Sequence, residues 1–150
     1  MTYQPLLPFK ACSGPRNAKI AIVGEAWGKD EDLTGMPFVG YSGQELTRIL
    51  KDAGIERREC FLTNVFNFRP PDNDLANICG SKKTVGEKYP YTSISQGKYI
   101  LPEYLFEVKR LRDELKEVSP NIVIAMGNTA CWALLSSAKI GQIRGVTAPC

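Results

Sequence analysis

Histidine is absent from the 150 residues. Imidazole is thereby removed from the roles it usually fills: triad base, metal ligand, general acid near neutral pH. Cysteine is present but scattered. Cys12, Cys60, Cys79, Cys131 and Cys150 are odd in number, and no two stand as Cys-x-x-Cys. Neither a closed zinc site nor a disulfide framework is expected. Cys60 and Cys131 fall in apolar segments and read as small core residues. No apolar run is long enough to span a bilayer. Residues 1–10 lack a basic segment followed by an apolar one, so no signal peptide is expected and the expected location is cytoplasmic. Neither sign of charge is in large excess, with 19 Lys and Arg against 16 Asp and Glu. The net charge of +3 permits contact with nucleic acid without demanding it.

What is present is an ordinary globular composition, 43% hydrophobic and 23% charged, of a length that suits one domain. Residues 19–23 form a short apolar run ended by Gly24, as a strand buried on both faces would. A polar, glycine-rich loop follows to Tyr41. Ser42-Gly-Gln-Glu45 is a capping-box pattern. Leu46, Ile49, Leu50 and Ala53 then recur at helical spacing, with Gly54 placed to end the helix. Residues 60–63 predict a second strand with Asn64 at its carboxyl end. Residues 67–102 carry scattered prolines and glycines without a period and predict a long loop insertion. Tyr104, Val108, Leu111, Leu115 and Val118 mark one face of a helix starting near Glu103. Residues 121–126 predict a third strand, and Gly127 turns into a short helix through Leu135. This alternation predicts an α/β fold with a parallel sheet covered by helices. Ligands of such sheets bind beyond the carboxyl ends of the strands, at the loops opened by Gly24, Asn64 and Gly127.

The first of those loops reads Gly24-Glu-Ala-Trp-Gly28, an acidic stretch containing Asp30, Glu31 and Asp32, then Gly35-Met-Pro-Phe-Val-Gly40 and Ser42-Gly43. Its glycines let backbone approach a ligand closely. Glu25 is a carboxylate directly after a strand, and Phe38 sits in a loop where a ring can stack. The helix N-terminus at Ser42 and Gly43 offers N–H groups to an anion. Each feature alone fits a structural loop equally well. A nucleotide-binding α/β enzyme is another reading, but no Gly-x-Gly-x-x-Gly or Walker-type lysine supports it.

The combination resembles the first motif of the iron–sulfur-type (family 4-like) uracil-DNA glycosylases. Thr63-Asn64 followed by Arg69-Pro-Pro71 resembles the family's second segment. Residues 121–130 and Ile143-Arg-Gly145 resemble later ones. The resemblance implies a three-layer α/β/α sandwich that hydrolyses the N-glycosidic bond of deoxyuridine in DNA, in base excision repair. Phe38 would stack on the flipped uracil and Asn64 would pair with its edge. The backbone of Gly24 and Ala26 would line the pocket. Glu25 and Glu31 would handle the attacking water or stabilise the cationic sugar, with the division between them open. DNA contacts would fall to Ser42, Gly43, Arg69, Gly127, Asn128 and Arg144. Lys82, Lys83, Lys88 and Lys98, interleaved with Tyr89, Tyr91 and Tyr99, form either a strand-contacting surface or a solvated loop with tyrosine anchors.

Departures from the family pattern add expectations. Phe68 stands where a cluster cysteine would be, and Pro15 denies Cys12 a partner, so no iron–sulfur cluster is expected. Trp27 replaces a proline, either packing over the loop or offering a second ring. Relative to the family, the chain is expected to be C-terminally truncated, ending before a last strand and a His-Pro-(Ser/Ala) motif. The expected partner is uracil-containing DNA, with no membrane and a monomeric state. The alternative reading is a catalytically impaired fragment or remnant that binds DNA or uracil without turnover.

Overall fold

The apolar run beginning at Ile20 forms the central strand of a parallel sheet. β1 (Ile20–Ala26) is followed by the short helix α1 (Lys29–Thr34) and by α2 (Tyr41–Asp52). Next come β2 (Phe61–Phe66), the two-residue strand β3 (Cys79–Gly80), α3 (Lys82–Val85), β4 (Tyr99–Ile100), α4 (Leu105–Val118), β5 (Ile122–Ala125) and α5 (Asn128–Leu135). The computed structural model describes residues 3–136 and 144–149. Ile143 and Cys150 lie outside the described residues.

The strand order is β2-β1-β5, with both pairings parallel. Strand residues alternate between faces, and the core divides accordingly. Ile22 and Leu62 pack with Leu46 and Leu50 of α2 on one face. Val23 and Val65 pack with Val108 and Leu111 of α4 and with Ala130 and Trp132 of α5 on the other. The result is three layers, α/β/α. The register sets Gly24 opposite Asn64, so both emerge at the same edge of the sheet.

Three local details depart from the sequence reading. The glycine-rich loop contains α1, whose N-cap N–H, that of Gly28, is accepted by Glu31 of the helix's own first turn. The pattern Ser42-Gly-Gln-Glu45 does not cap α2. Gly40 is the N-cap and the helix starts at Tyr41. The reason is that the Glu31 carboxylate, from outside the helix, accepts the Gly40 N–H at 2.9 Å, while Glu45 pairs with Arg48. Third, residues 67–102 are folded rather than open. They contain 3-10 turns, the antiparallel pair β3–β4 and α3, and they insert Ile78, Ile94 and Ile100 into the main core.

The two edges of the sheet differ. β5 is exposed, with Ile122 47% accessible. β2 is buried along its whole length, because its outer edge is closed by polar groups. Part of that closure is Ser13, which exchanges two backbone hydrogen bonds with Leu62. The rest is Arg110 of α4, which is 1% exposed and donates from every nitrogen. Nη2 reaches the carbonyls of Asn64 at 2.7 Å and Val65 at 2.8 Å. Nη1 reaches Glu114 at 2.8 Å and Thr63 Oγ1 at 3.2 Å, and Nε reaches Glu107 at 3.1 Å. Glu107 also accepts from the Asn67 N–H and the Tyr3 hydroxyl, and Glu114 accepts from the Phe9 N–H and Thr63. Burial, followed by the hydrogen bond to Glu107, pushes the Tyr3 hydroxyl far above its ordinary value. Charges removed from water this completely are tolerated only when every donor and acceptor is satisfied.

Replacing Arg110 by Met strands two buried carboxylates and leaves two β2 carbonyls unpaired. The expected loss in unfolding free energy, measured by urea titration, is about 3–5 kcal/mol. A loss of about 0–1 kcal/mol, typical of a surface pair, would show that the network does not hold β2.

Candidate functional site

The carboxyl edge of the sheet opens into a cleft of about 570 Å³. β1 supplies Gly24, Glu25 and Ala26 to its wall. The following loop and α1 supply Trp27, Gly28, Lys29, Asp30 and Glu31, while Phe38, Gly40, Tyr41 and Ser42 come from the approach to α2. Asn64 comes from within β2, which runs on to Phe66 instead of ending before Asn64 as expected; Pro70 and Asn73 come from the insertion, and Met126 directly follows β5.

Gly24, Phe38 and Asn64 converge. A methyl group built on Gly24 would lie 2.4 Å from Oδ1 of Asn64 and 2.7 Å from Cζ of Phe38. The absent side chain at Gly24 is therefore what lets ring and amide share one slot. Asn64 is 3% exposed, and its backbone carbonyl is held by Arg110. Its side-chain amide lines the cleft and has no partner among the described residues. An amide that is both donor and acceptor, fixed at the floor of a slot and unpaired, is available to a ligand edge that is also donor and acceptor.

Phe38 has φ of 55°, in the left-handed region that costs a non-glycine residue roughly 1–2 kcal/mol. Two side chains hold it there. Glu31 accepts the N–H groups of Val39 at 3.1 Å and Gly40 at 2.9 Å, just after the ring, and that of Gly28 at 3.1 Å. Arg57 donates to the carbonyl oxygens of Phe38 at 2.7 Å and Pro37 at 3.4 Å, and to Gly43 and Thr47 of α2. Gly43 is needed for close approach: a Cβ there would stand 1.8 Å from the Phe38 carbonyl oxygen.

The two candidate carboxylates thus sit differently. Burial by itself raises the Glu31 carboxyl, but the N–H groups of Gly40, Gly28 and Val39 together hold it below its ordinary value. Its oxygens are committed to the loop. Glu25 is exposed at the cleft wall, and its carboxylate is oriented by one contact, from the Thr129 hydroxyl of α5.

The remaining candidates are more dispersed. Ser42 is exposed in the first turn of α2 and lines the cleft. Gly43 is buried as a packing glycine. Arg69 is engaged with Asn73 at 2.6 Å. Gly127 and Asn128 stand exposed at the start of α5, and Arg144 is exposed. Trp27 lines the cleft while its Nε1 is buried without a partner among the described residues. The tyrosines of the insertion face protein. Tyr89 donates to the Ile100 carbonyl at 2.7 Å, and Tyr91 packs on Trp132. Sequence reasoning missed Arg57 and Thr129. Thr129 had a weak signal, as a polar side chain at the start of an otherwise apolar helix.

The profile of the uracil DNA glycosylase superfamily matches residues 12–147. The chain belongs to that superfamily. Curated relatives include the type-4 uracil-DNA glycosylase of Archaeoglobus fulgidus, 32% identical over 88% of this chain and 57% of the relative. Those of Thermotoga maritima and Saccharolobus solfataricus are 28% and 44% identical, over 88% and 67% of this chain and 58% and 50% of the relative. The chain therefore spans little more than half the length of these uracil-DNA glycosylases.

Among the described residues, the donor set does not fit the iron–sulfur cluster that the resemblance implies. Among the described residues no three His, Cys, Asp or Glu side chains gather to hold a metal. Cys60 lies buried under α2 and Cys131 is buried in α5. Cys79 donates to the Leu75 carbonyl at 3.2 Å, and Cys12 packs beside another cluster of the core. Phe68, at the position of a cluster ligand, is enclosed by Tyr3 at 4.8 Å, a stacked Tyr104 at 5.5 Å and Phe66 at 6.0 Å between ring centroids. Among the described residues no helix is long and apolar enough to cross a membrane.

Glu31 has a depressed folded-state value, so its contribution to stability is fully present above the ordinary value of 4.5 and is lost as pH falls through the lower folded value. In thermal melts the Glu31→Gln variant is expected to trail the wild type at pH 7, with the gap shrinking as pH falls below about 4.5. A gap that stays constant or widens in acid would contradict the capping role.

Proposed function

We propose that this domain receives a uracil extruded from DNA and hydrolyses its N-glycosidic bond. The observation that carries the reading is the slot over Gly24, where the Phe38 ring and the unpaired Asn64 amide meet. Phe38 stacks on the base, and Asn64 pairs with the alternating carbonyl and N–H groups of its edge. Backbone of Gly24 and Ala26 lines the slot. Glu25, exposed at its wall and oriented by Thr129, is the carboxylate that orients the attacking water and stabilises positive charge on the sugar. Glu31 serves the same reaction through the Phe38 turn. Ser42 and Asn128, at the starts of two helices beside the cleft, contact DNA phosphates together with Arg144. The similarity to type-4 uracil-DNA glycosylases supports the reading.

The test is incubation with an end-labelled single-stranded oligonucleotide carrying one deoxyuridine, followed by alkaline cleavage of abasic sites. Abasic product is expected from the wild type. Loss of stacking in Phe38→Ala is expected to weaken binding of the uracil strand by about 5–100-fold. Glu25→Gln is expected to lower the single-turnover rate by about 10²–10⁴-fold with little change in binding. No product, together with equal affinity for uracil and thymine strands, would sink the proposal. Selective binding without product would remove its catalytic half.

A further inference from the structure

The stacking ring is held by a residue that neither lines the cleft nor belongs to the glycine-rich loop. Arg57 lies in the 3-10 turn Arg57–Glu59, immediately before β2. Its guanidinium spans two elements. Nη1 bonds the Gly43 carbonyl at 2.9 Å and Thr47 Oγ1 at 2.7 Å, both in α2. Nη2 bonds the Phe38 carbonyl at 2.7 Å and that of Pro37 at 3.4 Å. A planar fork with fixed N–H directions is suited to catching several acceptors at once. The carbonyl it catches most closely belongs to the residue with left-handed φ. Phe38 stands two residues before the N-cap of α2, so its carbonyl lies outside the hydrogen bonds of that helix and takes its donor from elsewhere. Glu31 takes the next two N–H groups, of Val39 and Gly40. The peptide unit that follows Phe38 is thus fixed from both of its polar groups, by a cation on the Phe38 carbonyl and an anion on the Val39 N–H.

We infer that Arg57 is a positioning residue for base recognition, clamping the Phe38 turn so that the ring stands over the Gly24 slot opposite Asn64. The inference rests on the proposed uracil-binding role of that slot. It assigns a binding function to the connection that leads into β2, so that one short segment sets both halves of the slot: Arg57 holds the ring, and the strand beginning at Phe61 delivers the amide.

Two measurements on the full chain test it. The first needs no ligand: amide hydrogen exchange of residues 36–43. Losing charge-assisted hydrogen bonds in Arg57→Ala is expected to speed exchange of that segment by about tenfold, leaving β1 unchanged, with Arg57→Lys falling between. Unchanged exchange overturns the clamp whether or not the domain binds uracil. The second is a double-mutant cycle on binding to a uracil-containing single-stranded oligonucleotide. Arg57→Ala is expected to weaken binding about tenfold when Phe38 is present, and by less than about twofold in the Phe38→Ala background. Equal losses in both backgrounds would mean that Arg57 acts by another route and would overturn the inference. So would faster exchange with wild-type affinity. A wild type that does not prefer uracil to thymine strands refutes the slot's proposed role instead, and the positioning role with it, while the exchange result still reports on the clamp. Should Arg57→Ala fail to fold, Arg57→Lys and Arg57→Gln carry both measurements, with graded losses expected and wild-type values in both overturning the inference.

Discussion

The buried guanidinium of Arg110 is the interaction on which the rest depends. A parallel sheet of three strands has two open edges, and here one of them is closed by a side chain beside the Ser13 bridge. Arg110 takes the place of a neighbouring strand by donating to the Asn64 and Val65 carbonyls. Glu107 and Glu114 satisfy the remaining donors, and in turn they tie down the N-terminal segment through Tyr3 and Phe9. Each partner would be costly if left alone in this environment, and the set is tolerable only as a whole. Its consequence is local. The backbone at Asn64 is fixed from both sides, by β1 through the register Gly24↔Asn64 and by α4 through Arg110.

With the amide fixed, the slot needs a ring held at a matching height, and this is a problem of backbone strain. Phe38 occupies a conformation that its own chemistry disfavours. It stays there because the surroundings over-determine it: Glu31 on one side, Arg57 on the other, and a glycine beneath. Carboxylates of the same type are separated by environment into different work. Glu31 is turned inward by three N–H groups, whereas Glu25 remains at the cleft wall with a single hydroxyl donor.

The insertion is organised by the same economy of local partners. Phe68 stacks on Tyr104 and meets Tyr3 at a tilt, linking the end of β2, the N-terminal segment and the entry to α4 by ring contacts. Ile78, Ile94 and Ile100 bury the insertion in the main core. Ring contacts and apolar burial anchor the segment, and its tyrosines pack against protein.

Much of this was legible in the sequence because it depends on period and punctuation. Continuous apolar runs gave away β1 and β5, glycine after the first run marked the site edge, and Gly24, Phe38 and Asn64 could be named because strand ends and family motif agree. These local signals determined the fold class and the residues of the slot. What they could not carry is which polar side chains meet. Arg57 finds Phe38 from 19 residues away, and Arg110 finds Asn64 from 46. The capping pattern at Ser42 misled for the same reason: a carboxylate from another helix reached the Gly40 N–H first. Only the tertiary structure decided that Glu31 serves the loop and Glu25 the cleft. Long polar side chains choose partners by three-dimensional proximity and desolvation, and neither leaves a period in the sequence.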